Sequence, residues 1–221
     1  MIQRELVGVA EVPGGAPLRL FRRGADHMIV LDRNELMSTR MSGSEEALGT
    51  MTCDRLGDHP APRLLVGGYG MGFTLRALLG RLGADAEILV TELVPGIIDW
   101  ARGPMVALTA GCLDDFRVTL EIGDVGAVIR RARRRYDAIL LDVDNGPDGL
   151  TREANDSLYH ARGLDDARTA LAPGGVLAIW SAAPDPAFAR RLARAGFAVD
   201  EVKVRARSNG KGATHVIWFA R

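Results

Sequence analysis

Two carboxylates and an amide follow a strongly apolar stretch of the sequence, residues 138–141. Asp142, Asp144 and Asn145 come directly after it, at the position where a buried strand would end. Burying an acid is costly unless the acid is paired or used, and a carboxylate at such a place can bind an amine and accept its proton. We therefore predict Asp142 and Asp144 as catalytic residues and Asn145 as a substrate-binding residue. The alternative is an Asx-type turn in which the two acids only hold the loop.

A glycine-rich segment lies between a short apolar run, residues 63–66, and a helical pattern, residues 74–82. Residues 67–72 read Gly-Gly-Tyr-Gly-Met-Gly. Glycines let the backbone approach a ligand closely, and the N-terminus of a helix offers free N–H groups. The segment predicts a cofactor-binding loop, and the alternative is a tight strand-to-helix turn without a ligand. The residues that we assign to cofactor binding in this loop are Gly67, Gly68, Tyr69 and Gly70.

Two more acids end the predicted strands that follow the loop. Glu92 stands where a carboxylate accepts hydrogen bonds from both ribose hydroxyls of a bound nucleotide, and Leu93 is its neighbour. Asp124 ends the next strand, where it can accept from an adenine amino group while the backbone of Val125 reads the ring. Two such acids, with no basic residue in the glycine loop, favour adenosine over a phosphate-bearing dinucleotide. The alternatives are a surface acid for Glu92 and a helix N-cap for Asp124, and the cap is compatible with binding.

Strand-like and helical patterns alternate from residue 63 onward. The predicted strands cover residues 63–66, 87–91, 117–122, 138–141 and 176–180, and the predicted helices cover residues 74–82, 96–102, 125–134, 163–171 and 186–195. Continuous apolar strands separated by helices predict a parallel sheet covered on both faces. Residues 198–205 and 214–219 flank Ser208-Asn209-Gly210 and predict a closing hairpin. We expect an α/β fold with a Rossmann-like, doubly wound, mostly parallel sheet that ends in an antiparallel hairpin.

The first 40 residues show a different pattern. Short strand-like segments at residues 6–12, 18–21, 28–31 and 35–38 are separated by turn-rich pieces and predict a small antiparallel β unit. A helix then begins, with Ser44 predicted as its N-cap and acids in its first turn. We therefore divide the chain into an N-terminal β unit with a linking helix, residues 1–59, and a cofactor-binding catalytic domain, residues 60–221.

Composition excludes several classes of function. The 221 residues include 28 acidic and 28 basic side chains, so no overall charge favours nucleic acid or an anionic membrane as a partner. The two cysteines lie far apart and no histidine cluster accompanies them, so we predict no metal site. The N-terminus lacks the apolar core of a signal peptide and no apolar run reaches membrane-spanning length, so we expect a cytoplasmic protein.

Further motifs lie between residues 64 and 180. They are Thr74-Leu75-Arg76 after the glycine loop, Glu92-Leu93-Val94-Pro95, Gly123-Asp124, Tyr136-Asp137 before Asp142, and Leu171-Ala172-Pro173-Gly174-Gly175. Together they resemble the spermidine synthase family of polyamine aminopropyltransferases, and residues 37–40 resemble the N-terminal β unit of that family. The resemblance implies decarboxylated S-adenosylmethionine as donor, a polyamine as acceptor and a homodimer. It also implies Glu92 as ribose ligand, Asp124 as adenine ligand and Asp142 as the acid near the reacting amine.

The sequence departs from that family at several positions. The second aspartate of the family's strand-four loop falls on Asn145. The family's Tyr-His pair before the linker is replaced by Ser44-Glu45-Glu46-Ala47, in which the two acids can meet a cationic acceptor. Tyr159 follows the strand-four loop and can line the acceptor pocket. We therefore add Glu45, Glu46 and Tyr159 to the predicted substrate-binding residues.

The glycine loop itself shows the departure that bears on the donor. The family usually has an acid after its glycines, which holds the free amine of the donor, whereas this loop has Tyr69, Gly70 and Met71. An acid attracts the ammonium of the decarboxylated donor and repels the carboxylate of full S-adenosylmethionine. Two close unit charges are worth on the order of 4 kcal/mol at an effective dielectric constant near 20. Without that acid the loop tolerates the carboxylate, which favours methyl transfer.

The sequence leaves three functions in consideration. The first is a spermidine-synthase-like transferase that moves an aminopropyl group from a decarboxylated S-adenosylmethionine-type sulfonium to a small-molecule amine. The second is an S-adenosylmethionine-dependent methyltransferase acting on a small molecule. The third is a non-catalytic dimeric binding module with the same fold.

Overall fold

The computed structural model describes residues 3–143 and 157–221, and the strands in these ranges form two sheets. The N-terminal sheet is antiparallel and has four strands in chain order, as the sequence predicted. Its strands are β1 (Glu5–Ala10), β2 (Leu18–Arg23), β3 (Asp26–Leu31) and β4 (Asn34–Ser38).

The larger sheet has seven strands in the described ranges. They are β5 (Arg63–Gly67), β6 (Glu87–Glu92), β7 (Val118–Ile122), β8 (Tyr136–Leu141), β9 (Leu171–Ser181), β10 (Val199–Arg205) and β11 (Thr214–Ala220). The order is β10-β11-β9-β8-β5-β6-β7, with β5 to β9 parallel and β11 antiparallel to both of its neighbours. This confirms the Rossmann-like sheet with a closing hairpin. The strand order reverses beside β5, and ligands of such sheets bind at the carboxyl edge near that reversal.

Helices cover both faces of the larger sheet. They are α1 (Gly43–Leu56), α2 (Phe73–Leu79), α3 (Pro95–Arg102), α4 (Val106–Thr109), α5 (Val125–Arg131), α6 (Ala161–Ala170) and α7 (Pro186–Arg194). None of the described helices is long and apolar enough to cross a lipid bilayer. The sequence did not predict the single-turn helix α4, because one turn is too short to show a hydrophobic period.

The central strands divide the core into two apolar clusters. Leu64 and Val66 of β5 point into one cluster, while Leu65, between them, points into the other. All three side chains are at most 1% exposed. A strand that is covered on both faces needs apolar residues at every position rather than at alternate positions. The buried strands therefore bring their polar residues to the surface only where they end, at the edges of the sheet.

Two local predictions were wrong. Helix α1 begins at Gly43 after Ser42, and Ser44 does not act as its N-cap. The hydroxyl of Ser44 instead bonds to side chains inside the molecule. The strand predicted at residues 176–180 begins five residues earlier, at Leu171, and the pairing of β9 with β8 shifts register over this added part.

Helix α1 packs on the larger sheet although it precedes the linker. A Cβ atom added to Gly49 in the middle of α1 would lie 2.8 Å from the carbonyl oxygen of Thr74 and 2.8 Å from the Cβ of Ala77. Such close approach of α1 to α2 requires a residue without a side chain at position 49. The packing carries Glu45, near the start of α1, to the carboxyl edge of the larger sheet.

Candidate functional site

A cleft lies between the N-terminal sheet and the carboxyl edge of the larger sheet. Its N-terminal wall is apolar and is lined by Val12, Leu18, Ile29, Leu31, Leu36 and Met37. Its other wall is formed by the strand ends and the glycine loop. Of the residues predicted from the sequence, the cleft brings together Gly68, Gly70, Glu92, Leu93, Asp124, Val125 and Asp142. Gly67 lies directly behind this wall, where an added Cβ would meet the Cγ2 of Val125 at 2.7 Å.

The glycine loop passes close to the end of β8. A Cβ atom on Gly68 would lie 2.3 Å from the carbonyl oxygen of Asp142, and the backbone at Gly68 has φ +87°. Both the approach and the left-handed backbone exclude other residues at this position. The glycine is therefore needed to bring the loop against the segment that carries Asp142.

Glu92 fixes the loop from the neighbouring strand. Its Oε2 accepts a hydrogen bond from the backbone N–H of Tyr69 at 2.8 Å, and its Oε1 accepts one from Val94 at 2.9 Å. Only 5% of Glu92 is exposed, and burial raises its pKa while the backbone N–H groups of Val94, Tyr69, Gly70 and Leu93 lower it. Glu92 therefore ties the glycine loop to the end of β6, and it also lines the cleft.

Tyr69 contributes its backbone to the site, whereas its side chain lies in the core. The phenol oxygen is 3.4 Å from the Sγ of Cys112, and burial raises the pKa of Tyr69. The side chain is 4% exposed and does not line the cleft. We therefore restrict the proposed role of Tyr69 to its backbone N–H, which orients Glu92.

Asp124 caps helix α5. Its Oδ1 accepts from the N–H of Gly126 at 2.9 Å and its Oδ2 accepts from the N–H of Ala127 at 3.1 Å. The guanidinium of Arg130 lies 3.3 Å from the same Oδ2. The capping alternative that the sequence suggested is therefore correct. Asp124 also lines the cleft, so capping of α5 and contact with a ligand involve the same residue.

Asp142 is held from two directions. Its backbone N–H donates to the carbonyl oxygen of Gly67 at 2.9 Å, which continues the pairing of β8 with β5. Its Oδ2 accepts a hydrogen bond from the hydroxyl of Thr74 at 2.7 Å, and the same hydroxyl lies 3.2 Å from the carbonyl oxygen of Glu45. Thr74 thus links Asp142 to the start of α1.

Glu45 and Asp142, which we call the carboxyl pair, interact electrostatically. Desolvation raises the pKa of Asp142 to about 6, and desolvation together with the charge of Asp142 raises the pKa of Glu45 to about 8. Two nearby carboxylates in a poorly solvated place disfavour double ionisation. The pair therefore retains a proton near neutral pH, and a cation placed between the two groups would release it.

A second chain of hydrogen bonds reaches Glu45 from β11, in the hairpin that closes the larger sheet. The hydroxyl of Ser44 lies 2.6 Å from the Oε2 of Glu45 and 2.9 Å from the Nδ1 of His215 in β11. The His215 ring packs edge-on against Trp180, with ring centroids 4.9 Å apart. Sequence reasoning did not find Thr74 or His215, because their contacts with Asp142 and Ser44 arise only when distant strands and helices meet.

The other predicted substrate-binding residues that the structure describes, Glu46 and Tyr159, are both at least partly buried. Glu46 is half-buried and follows Glu45 on α1, where its charge adds to the rise in the pKa of Glu45. Tyr159 is 1% exposed and packs edge-on against Phe188 in the second apolar cluster. The structure therefore places Tyr159 in the core rather than in the cleft, and we leave it out of the proposed site. Asp144 and Asn145 lie outside the described residues.

The cleft fits an adenosyl-bearing molecule. Thr91 lines it, and its Oγ1 is buried without a hydrogen-bond partner among the described residues. Gly68 and Gly70 put no side chain on the loop wall of the cleft, and Glu92 and Asp124 on the same wall supply oxygen acceptors for a nucleoside. In the described ranges, no group of three or more acidic, histidine or cysteine side chains is placed to hold a metal ion.

Comparisons with known proteins agree with this geometry. The spermidine synthase of Thermotoga maritima superposes with a TM-score of 0.76 at 18% identity, over 97% of this chain and 72% of that chain. Polyamine aminopropyltransferase 1 of Streptomyces coelicolor is 32% identical over 159 residues, 68% of this chain and 29% of that protein. Putrescine N-methyltransferase 2 of Nicotiana attenuata is 34% identical over 125 residues, 55% of this chain and 32% of that protein.

This chain therefore spans less than a third of the length of those two curated relatives. The family model described as the spermine/spermidine synthase domain matches residues 50–190, which include the glycine loop, Glu92, Asp124 and Asp142. Since that match covers more than half of the sequence, the chain belongs to the spermine/spermidine synthase family.

Proposed function

We propose that this protein is an aminopropyltransferase that uses decarboxylated S-adenosylmethionine as donor and a small amine as acceptor. The observation that carries the proposal is the carboxyl pair of Glu45 and Asp142 beside a glycine-lined cleft. Negative charge at this place suits a cationic amine, and the cleft suits an adenosyl group. The relative from Streptomyces coelicolor is named for the same reaction class.

The chemistry requires a nitrogen nucleophile and a proton acceptor. The sulfonium supplies an electrophilic carbon, the amine nitrogen forms the new C–N bond, and the C–S bond breaks to leave a neutral thioether. An alkylammonium has a pKa near 10.4, so at neutral pH the acceptor arrives protonated and must lose a proton before it attacks. We assign that proton to Asp142, which lines the cleft and is oriented by Thr74.

The raised pKa values suit this task. A general base works best when its pKa lies near the working pH, and desolvation moves Asp142 to about 6. Binding of a cationic amine favours ionisation of both members of the carboxyl pair, because an opposite charge stabilises the charged form. Binding of the protonated acceptor therefore favours the ionised form of Asp142, which then accepts the proton of the acceptor.

The donor-binding roles follow from the cleft walls. Glu92 and Asp124 are proposed to accept from the ribose and adenine groups, and Gly67, Gly68, Gly70, Leu93 and Val125 are proposed to surround the adenosyl group. The apolar N-terminal wall excludes water from the reacting carbon. Asp144, Asn145 and Glu46 remain proposed contributors to the acceptor side.

Methyl transfer to an amine is a second candidate, and one observation favours it. Position 70 carries no acid, and a Cβ atom there would meet the Sδ and Cε of Met37 at 3.0 Å. Met37 fills the space that an acidic side chain would occupy, so nothing at residue 70 repels the carboxylate of S-adenosylmethionine. The relative from Nicotiana attenuata is named a putrescine N-methyltransferase.

One assay separates the candidates. The protein is incubated with S-adenosylmethionine or with its decarboxylated form, each with a panel of diamines and polyamines, and products are identified by mass. Methylthioadenosine together with an aminopropylated amine supports the proposal. Adenosylhomocysteine with a methylated amine supports the second candidate, and donor binding without any product contradicts both and favours a binding module.

We further propose a homodimer. Leu6 and Val9 on the edge strand β1 are 51% and 53% exposed, and an apolar strand edge of this kind favours pairing with another chain. Light scattering at micromolar concentration measures the assembly, and a strictly monomeric mass would contradict the proposal.

A further inference from the structure

The hydrogen bonds around Ser44 are not explained by the donor cleft. Ser44 is fully buried, and its hydroxyl contacts the side chains of Glu45 and His215. Glu45 is the next residue in the sequence, whereas His215 is 171 residues away. His215 is 9% exposed and stands in a strand whose next residues, Val216 and Ile217, are fully buried and apolar. A polar ring in such a place is costly without a partner, and its partner is Ser44.

The order of donors and acceptors in this chain depends on Glu45. When Glu45 is ionised, the Ser44 hydroxyl donates to its Oε2, and the Nδ1–H of His215 donates to the Ser44 oxygen. When Glu45 carries a proton, it donates to Ser44, and Ser44 donates to an unprotonated Nδ1. A neutral imidazole can take either role because it has two tautomers, and burial lowers the pKa of His215, which keeps it neutral.

We propose that His215 is a positioning residue that acts through Ser44 to hold the Glu45 carboxylate beside Asp142 for the cationic acceptor. This inference rests on the proposed function, since it assigns the amine to the carboxyl pair. Ionised Glu45 is held in place by the Ser44–Glu45 bond only while the hydroxyl points at it. The Nδ1–H of His215 occupies the other side of the Ser44 oxygen and so fixes that direction.

Two charged groups act on Glu45, one from the end of β8 and one from its own helix. Asp142 approaches from the end of β8 and Glu46 follows on α1, and both raise the pKa of Glu45, whereas Ser44 lowers it. Without the hydrogen bond from Ser44, the pKa of Glu45 rises further and more of Glu45 is protonated. The neutral acid attracts an ammonium group less than the carboxylate does. The amine would then bind less tightly while the donor cleft, built from other residues, stays as it is.

Two substitutions of His215 distinguish positioning from packing. His215→Asn keeps an N–H donor at the place of Nδ1 and removes the ring, whereas His215→Phe keeps the edge-on ring contact with Trp180 and removes the donor. If His215 positions Glu45, His215→Phe raises KM for the amine roughly fivefold, as for loss of one hydrogen bond between neutral groups. It leaves the Kd of the donor unchanged, and His215→Asn, which keeps a donor to Ser44, stays near the wild-type KM. The opposite order, with His215→Asn the more damaged variant, would overturn the inference.

Ser44→Ala provides the second arm. Ser44→Ala should raise the KM for the amine, as His215→Phe does. The double variant, Ser44→Ala with His215→Phe, should have a KM no higher than that of the more affected single variant, because both substitutions interrupt the same chain of hydrogen bonds. Additive effects on KM would overturn the inference. An active wild type would leave the proposed function intact, and the inference would still be overturned if His215→Phe, Ser44→Ala and the double variant all kept the wild-type KM for the amine.

A measurement without substrate covers the case of an inactive wild type, which would refute the proposed function. Melting temperatures at pH 7 are measured for His215→Phe, Glu45→Gln and the double variant. Changes that are not additive support the link from His215 to Glu45, and changes that simply add overturn it. Circular dichroism of each variant checks that the fold is kept.

Discussion

Asp142 and Glu45 come from different halves of the fold, yet one threonine hydroxyl touches both residues. The side chain of Asp142 and the backbone of Glu45 lie 2.7 Å and 3.2 Å from the Oγ1 of Thr74. Neither acid has a basic side chain as a hydrogen-bond partner in the described part of the chain. Such a charge arrangement is unfavourable in the empty protein, and a cationic ligand would relieve it.

The first prediction concerns the proposed base. Asp142→Asn keeps an acceptor for the Thr74 hydroxyl but cannot take a proton, so turnover should fall about 10²- to 10⁴-fold, with the donor Kd unchanged. Steady-state rates and calorimetric donor binding measure the two effects. Asp137→Asn is the matched control, since Asp137 lies at the opposite end of the same strand and bonds to the N–H of Arg63. Equal rates for Asp142→Asn and the wild type would remove the assigned role.

The second prediction concerns Glu45 and pH. Its folded-state pKa of about 8 lies above the ordinary value of 4.5, so its contribution to stability is present at low pH and is lost as the pH rises between these values. At pH 5, Glu45→Gln should therefore have the same melting temperature as the wild type. At pH 9 its melting temperature should exceed that of the wild type by at least about 2–4 °C, which corresponds to about 1 kcal/mol in the free energy of unfolding. Glu46→Gln, on the same helix, is the control. A constant offset between Glu45→Gln and the wild type at all pH values would contradict the prediction.

At the scale of elements, the glycine loop and β4 together form the proposed surroundings of the donor tail, the part of the donor that carries its amino group. Met37 of β4 covers Gly70, whose backbone has φ +55°. Asp and Asn tolerate this left-handed conformation better than other side chains. The end of the methionine side chain is flexible, so an acid can be introduced at position 70 with a small movement of Met37.

The third prediction follows from that geometry. Gly70→Asp should weaken binding of S-adenosylmethionine about tenfold or more relative to its decarboxylated form, because the new carboxylate repels one donor tail and attracts the other. Gly70→Asn has the same shape without the charge, and it should leave the ratio of the two Kd values near that of the wild type. Competition binding with methylthioadenosine gives both constants. A ratio that is the same in the Asp and Asn variants would show that residue 70 does not face the tail.

At the scale of the whole molecule, the cleft joins two separate sheets, so a ligand in it should stabilise both. A ligand at a hundred times its Kd adds about 2.7 kcal/mol to stability, or roughly 5–10 °C in melting temperature for a chain of this size. S-adenosyl compounds and methylthioadenosine should give such shifts. ATP and NAD should not, since the loop offers no basic residue to their phosphates. A shift from NAD as large as that from methylthioadenosine would contradict the adenosyl assignment.

The sequence predicted the order of strands and helices, and it predicted seven residues that line one cleft, because both follow from local patterns and from the meeting of parallel strand ends at one edge. Its errors concern side chains whose partners are distant. Ser44 has the local signature of an N-cap, but a buried histidine on β11 and Glu45 bind its hydroxyl instead. Tyr159 follows a loop and was expected in a pocket, but it fills a gap against Phe188. Thr74 meets Asp142 only because α1, α2 and β8 converge.

The separation of Ser44 and His215 along the chain also has a consequence during synthesis on the ribosome. A nascent chain that has reached residue 200 already contains the glycine loop, Glu92 and Asp142, and the strands that hold them. It does not yet contain β11, whose pairing with β9 brings the imidazole to Ser44 across 171 positions. The residues that line the donor cleft are therefore all synthesised before β11, whereas the support for Glu45 must wait for the closing hairpin.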